Sequence, residues 1–250
     1  MLTATCFVAN PPFEIIGHRG ASHDAPENTV TAFQLAWEQA ADGAECDIRL
    51  TKDGQIIACH DATTKRTCCK DLEVVQTTLD QLRLLDAGTW KGAAFQNERL
   101  PTLAELLATI PKGKKIYIEV KCGPEIVTPL IKQLESHGKP VSETPVICFD
   151  AKVIAELKRQ RPDIPAYFLH NPEKISAADL IQQAREIQAD GVDVKACPAL
   201  TAAYAKQVRE AGLRLDVYTV NEPAEARRLI SIGVQGITTD RPGFLRDQLR

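Results

Sequence analysis

Eight short apolar runs alternate with eight segments of helical periodicity along 250 residues, a rhythm and length that predict an α/β fold of the closed (β/α)8 TIM-barrel type. A doubly wound open sheet is the alternative, but no G-x-G-x-x-G follows the first apolar run. The stretch from about 55 to 99 breaks the rhythm, so residues 1–250 read as one barrel domain with a small insertion after the second strand.

The expected strands are Glu14–His18, Ala44–Leu50, Lys115–Lys121, Pro145–Phe149, Ile164–Leu169, Gly191–Ala196, Leu213–Val220 and Gly233–Thr239. The expected helices are Thr29–Ala41, Leu103–Ile110, Glu125–His137, Lys152–Gln160, Ala177–Ala189, Leu200–Ala211, Ala224–Ile232 and a closing Gly243–Arg250. In the insertion, Q-I-I-A-C-H-D after the turn K-D-G reads as a hairpin strand, and the chain then runs on without helical periodicity. Trp37 and Trp90 read as packing residues, and Asn28 in P-E-N-T as the cap of the first helix.

A net charge of −3 gives the chain no general attraction to nucleic acid or to anionic membranes. A bound anion must therefore be drawn by a few placed cations. The first residues, M-L-T-A-T-C-F-V-A-N-P-P, fit neither a signal peptide nor a membrane anchor. The eight cysteines form no C-x-x-C pair and several lie in expected strands. They read as reduced thiols, mostly buried, which points to the cytoplasm, with the adjacent Cys68 and Cys69 as the pair to check for redox chemistry.

Alternate residues of a barrel strand face inward, and functional groups gather at the C-terminal strand ends. In A-E-C-D-I-R-L this turns Glu45 and Asp47 inward and Cys46 outward; in I-Y-I-E-V-K it turns Glu119 and Lys121 inward and leaves Cys122 outside. His18 ends the first strand beside Arg19, and His60 closes the hairpin arm over the mouth. A single carboxylate at a strand end is usually structural. Three carboxylates, two histidines and two cations together require a counter-charge, and an all-carboxylate set favours a hard divalent cation, Mg²⁺ or Ca²⁺. With Arg19 and Lys121 nearby, that pocket suits one phosphate group. Asp193 and Lys195 are also two apart, and a salt bridge between them is expected.

In order, G-H-R-G with P-E-N-T, E-C-D-I-R-L-T-K-D-G, H-D, L-P-T-L-A-E-L, I-E-V-K, Y-T-V-N and T-D-R-P resemble the glycerophosphodiester phosphodiesterase family from Ile15 to Pro242. The resemblance implies a TIM barrel that hydrolyses a glycerophosphodiester, a small-molecule substrate, to sn-glycerol 3-phosphate and an alcohol. It assigns His18 and His60 as the acid and base pair, Glu45, Asp47 and Glu119 as metal ligands, and Arg19 and Lys121 as phosphate contacts. Phe149 is a candidate lining residue. Tyr218, where the family often has Trp, is the aromatic wall for the glycerol or the leaving group. A lysophospholipase D or sphingomyelinase D type of enzyme is the related alternative, and a non-catalytic barrel that binds glycerophosphodiesters is the alternative from another class.

Overall fold

In a computed structural model of the protein, residues 13–250 are described. Cys6 and the rest of the N-terminal segment lie outside them. Strand β1 (Glu14–Gly17) leads through a turn into helix α1 (Val30–Glu38), and β2 (Gly43–Leu50) is followed by the short β3 (Ile56–Ala58). Helices α2 (Lys65–Cys68), α3 (Leu79–Leu82) and α4 (Leu103–Ala108) come next, then β4 (Lys115–Val120), α5 (Val127–His137), β5 (Val146–Cys148) and α6 (Ala151–Gln160). The chain finishes with β6 (Ala166–His170), α7 (Ala177–Glu186), β7 (Gly191–Lys195), α8 (Ala202–Glu210), β8 (Arg214–Tyr218), α9 (Pro223–Ser231), β9 (Gly236–Thr239) and α10 (Pro242–Leu249).

Eight parallel strands close on themselves in the order β1, β2, β4 to β9, with β9 pairing back to β1. This is the expected TIM barrel. The elements are mostly shorter than the periodicity suggests, because helix and strand patterns run on into caps and turns. Strand β3 pairs with the end of β2 and runs antiparallel to it, Ile48 facing Ala58 and Leu50 facing Ile56. It is the hairpin arm.

The insertion departs from expectation in containing α2 and α3, each of four residues, too short for any periodicity to show. Thr78 and Gln81 nevertheless form a capping box on α3. Ile57, Cys59, Cys68, Val74, Leu82, Leu85, Ala87 and Leu100 form the insertion's own small core.

Outward-facing strand residues such as Ala44, Cys46 and Ile48 pack with Phe33, Leu106, Leu130 and their neighbours in the helix layer. Inside the barrel, Ile16, Tyr117, Ile147, Tyr167 and Leu169 form a compact apolar centre. Below it lies an ionic floor: Glu14 accepts from Lys115 Nζ at 2.6 Å, from the Tyr117 hydroxyl at 2.6 Å and from Arg214 Nη2 at 2.8 Å, while Arg214 Nε reaches Asp216 at 2.9 Å. The barrel is filled, not hollow. The tryptophans pack as expected: Trp37 meets Phe33 edge-on and donates to Thr109, and Trp90 donates to the Ala87 carbonyl.

The turn after β1 depends on Gly20, whose φ is +84° and whose absent Cβ would lie 2.5 Å from the Ala32 carbonyl carbon. Gly20→Ala therefore combines a left-handed backbone with a backbone clash. A loss of about 2 kcal/mol or more is expected in urea unfolding, since left-handed geometry alone costs roughly 1–2 kcal/mol. Wild-type stability would show that α1 shifts freely.

All seven described cysteines are free. In denaturant without reductant, all eight thiols of the sequence should titrate. In the native protein the exposed Cys69 should react first, ahead of the buried Cys46, Cys59, Cys68, Cys148 and Cys197. A lower count in denaturant would reveal disulfides.

Candidate active site

Strand alternation places Glu45 and Asp47 of β2 on the inner wall, and the parallel register sets Asp47 directly beside Glu119 of β4. One oxygen from each of Glu45, Asp47 and Glu119 lies within 4.8 Å of the others. All three residues are buried, Asp47 completely.

Their protonation equilibria register the crowding. Burial, then Asp47 and Glu119, push the Glu45 carboxyl well above its ordinary value; burial and Asp47 raise Glu119. Burial would raise Asp47 too, but Arg19, Lys121 and His60 outweigh it and hold it below the usual range. Glu45 Oε1 and Asp47 Oδ1 are buried and accept no hydrogen bond. Carboxylate oxygens gathered without hydrogen bonds, with no thiolate in the set, form a donor group that can hold a divalent cation.

Two cations already offset part of the cluster's charge. Lys121 Nζ lies 2.7 Å from Glu119 Oε1 and 3.5 Å from Asp47 Oδ1. Arg19 Nε lies 3.1 Å from Asp47 Oδ2 although its N–H is not aimed at that oxygen, and the Arg19 backbone N–H donates to Glu45 Oε2 at 2.8 Å. That backbone contact needs the left-handed φ of +53° at Arg19.

Asn28 differs from expectation. Thr29 caps α1 by accepting from the Ala32 N–H, which frees the Asn28 amide to grip Asp47. Its Nδ2 donates to Asp47 Oδ2 at 2.8 Å, and its Oδ1 accepts the Asp47 backbone N–H at 3.1 Å.

Both histidines stand at the rim, each tied by Nδ1 to a carboxylate. His18 Nδ1 is 2.6 Å from Asp240 Oδ1, and Asp240 also accepts from Ser22 at 3.0 Å and from Asn221 at 2.6 Å. His60 Nδ1 is 2.7 Å from Asp61 Oδ1, and the His60 carbonyl accepts two bonds from Arg49, at 3.1 and 2.7 Å. A carboxylate at Nδ1 places the proton there and leaves Nε2 as the exchanging nitrogen. Burial holds the His60 imidazole below its ordinary value against the pull of Asp47 and Asp61.

Phe149 is 52% exposed, so it belongs to the rim rather than to the barrel core. Its ring centre lies 6.0 Å from that of Tyr218, edge-on, and 5.9 Å from Lys121 Nζ. The Tyr218 hydroxyl donates to the His170 carbonyl. The expected Asp193–Lys195 salt bridge is not formed: Lys195 is exposed, with Glu173 at 3.9 Å, whereas Asp193 is buried, its carboxyl raised by burial and by Asp216 and Glu119. A lysine side chain at the last position of the strand gains more from water than from the interior.

The structure thus brings His18, Arg19, Glu45, Asp47, His60, Glu119, Lys121, Phe149 and Tyr218 to one end of the barrel. Sequence reasoning did not assign roles to Asp61, Asn221 and Asp240, although H-D, T-V-N and T-D-R-P contain them.

Comparison with known proteins places the chain in a family. Residues 18–244 match the model of the glycerophosphoryl diester phosphodiesterase family. YhdW of Bacillus subtilis is 36% identical over 237 residues, covering 92% of this chain and 96% of that protein. The glycerophosphodiester phosphodiesterase of Caldanaerobacter subterraneus is 32% identical over 242 residues, covering 94% of this chain and 97% of that protein. Among solved structures, an Oleispira antarctica phosphodiesterase in complex with the product sn-glycerol-3-phosphate superimposes with a TM-score of 0.86 at 26% identity, covering 94% of this chain and 96% of that one. The chain is a member of the glycerophosphoryl diester phosphodiesterase family, and so one of the phosphoric diester hydrolases.

Proposed function

We propose that the protein hydrolyses glycerophosphodiesters to sn-glycerol 3-phosphate and an alcohol with the aid of a divalent cation. The observation that carries this reading is the convergence of three buried carboxylates, two carboxylate-tethered imidazoles and two cations on one barrel mouth.

Glu45, Asp47 and Glu119 would hold Mg²⁺ or Ca²⁺, which when bound supplies positive charge to the phosphoryl oxygens and helps orient the attacking oxygen. Arg19 and Lys121 bind the phosphate and stabilise its growing negative charge. An oxygen nucleophile attacks phosphorus as the bond to the leaving alkoxide breaks. Of the two imidazoles, one accepts the proton of the nucleophile at Nε2 and the other gives a proton to the departing oxygen. Asp240 and Asp61 keep each ring in the orientation and tautomer this exchange needs. Phe149 and Tyr218 contact the glycerol or leaving-group portion of the substrate.

The insertion works as part of the same domain, since Lys91 donates to the Ser22 carbonyl at 2.7 Å and Thr31 donates to Glu98 across the junction. Free, mostly buried thiols support a reducing compartment, the cytoplasm. No helix among the described residues is long and apolar enough to cross a membrane.

The direct test measures release of sn-glycerol 3-phosphate from glycerophosphocholine, with lysophosphatidylcholine assayed beside it. Turnover of the first is expected; turnover of the second alone would mark a lysophospholipase D, and binding without turnover a non-catalytic barrel.

Chelation should abolish activity and Mg²⁺ or Ca²⁺ should restore it. Full turnover by protein shown to be metal-free would refute the role given to the carboxylates.

Because His60 lies at the rim, 31% exposed at its side chain, His60→Ala should fold normally. Its turnover should fall by roughly 10²-fold to 10⁴-fold with a much smaller change in KM. If His60 protonates the leaving group, the loss should shrink on a nitrophenyl ester, whose phenolate leaves without a proton. An equal loss on both substrates would make His60 the base or a binding group only.

A further inference from the structure

Arg66 lies in α2 of the insertion and touches none of the groups assigned above to substrate or metal. Its guanidinium nevertheless spans two carboxylates that do. Nε donates to Asp61 Oδ2 at 2.7 Å, Nη1 to Glu27 Oε2 at 2.7 Å and Nη2 to Glu27 Oε1 at 2.8 Å. From Asp61 the chain of contacts continues to His60 Nδ1 at 2.7 Å; from Glu27 it continues to Arg19 Nη1 at 2.8 Å. We infer that Arg66 is a positioning residue, whose planar fork locks Asp61 and Glu27 together and through them sets the His60 ring and the Arg19 guanidinium at the mouth.

The geometry explains why the site needs such a clamp. Arg49 anchors only the carbonyl of His60, so ring orientation depends on Asp61. The Asp61 side chain is 35% exposed and could turn to water, releasing Nδ1 and with it the tautomer. Arg66 occupies the second oxygen of Asp61 and removes that freedom. At the other end Glu27, only 11% exposed, accepts a bidentate pair from Arg66 and still has Oε1 shared with Arg19. Three donors in one plane at fixed angles are something guanidinium offers and ammonium does not. Stability is a poor explanation for the arrangement, because the Arg66 side chain is 43% exposed and partly exposed ion pairs contribute little to folding.

This inference rests on the proposed proton-transfer role of His60, so the test includes both residues. Steady-state kinetics on glycerophosphocholine would compare the full chain with Arg66→Ala, Arg66→Lys, His60→Ala and the Arg66→Ala, His60→Ala double variant. Arg66→Ala should lower kcat on the order of tenfold, as removal of a group that orients a functional side chain does, with Tm changed by no more than a few degrees. Arg66→Lys keeps the charge but not the fork, and should stay close to the alanine variant. In the His60→Ala background, adding Arg66→Ala should leave kcat within about twofold, because its path to proton transfer is already cut. Arg66→Ala should also raise KM a few fold through Glu27 and Arg19, in the wild-type and in the His60→Ala background alike. Wild-type kcat for Arg66→Ala, full rescue by lysine, or the same kcat penalty in both backgrounds would each overturn the clamp while leaving the role of His60 intact. Undiminished turnover by His60→Ala would overturn both.

Discussion

The rest of the site follows from one electrostatic problem: Glu45, Asp47 and Glu119 share a space 4.8 Å across inside an apolar barrel. Like charges so placed cannot all remain ionised without compensation, as the raised equilibria of Glu45 and Glu119 show. Arg19 and Lys121 provide part of the balance, and each requires a particular local structure. Lys121 needs only the strand alternation that places it two residues from Glu119. Arg19 needs a left-handed residue in a tight turn, hence the glycine that follows it, hence the close approach of α1.

Closure of the barrel is what brings His18 to the carboxylate that orients it. His18 follows β1, while Asp240, which orients it, follows β9 at the other end of the chain. The two meet because β9 pairs with β1 in register, Thr239 beside Gly17, and the His18 N–H donates to the Thr239 carbonyl at 2.8 Å. Asn221, just beyond β8, then fixes the second oxygen of Asp240 and accepts its backbone N–H. Fold and site are therefore coupled at the seam where the sheet closes.

What the sequence discloses tracks how local the determining interaction is. Glu45, Cys46 and Asp47 could be sorted between interior and helix layer because alternation in a strand is a two-residue rule. The eight-fold rhythm likewise needs only neighbours. At Asn28 the sequence is ambiguous because Asn and Thr both cap helices well, and only the turn conformation, with φ of +58° at Asn28, decides that Thr29 takes the cap. Asp240, the partner of His18, and Glu27, the more distant partner of Arg66, lie 222 and 39 residues away, where no periodicity reaches. Asp193 and Lys195 diverge because burial at the end of β7 changes within two residues. Helices α2 and α3 are single turns, too short for periodicity to reveal, and only the Thr78–Gln81 capping box marks α3 locally.

The ionic floor of Glu14, Lys115, Tyr117, Arg214 and Asp216 limits how the molecule can exchange its contents. With that end plugged by charged pairs and the middle filled by Tyr117, Ile147, Tyr167 and Leu169, the described residues leave no passage through the barrel. Whatever reaches the carboxylates comes in past Phe149, Tyr218 and the two imidazoles, and must go back out past the same side chains. Arrival and departure thus use a single doorway, so a molecule still waiting to leave blocks the next one from entering.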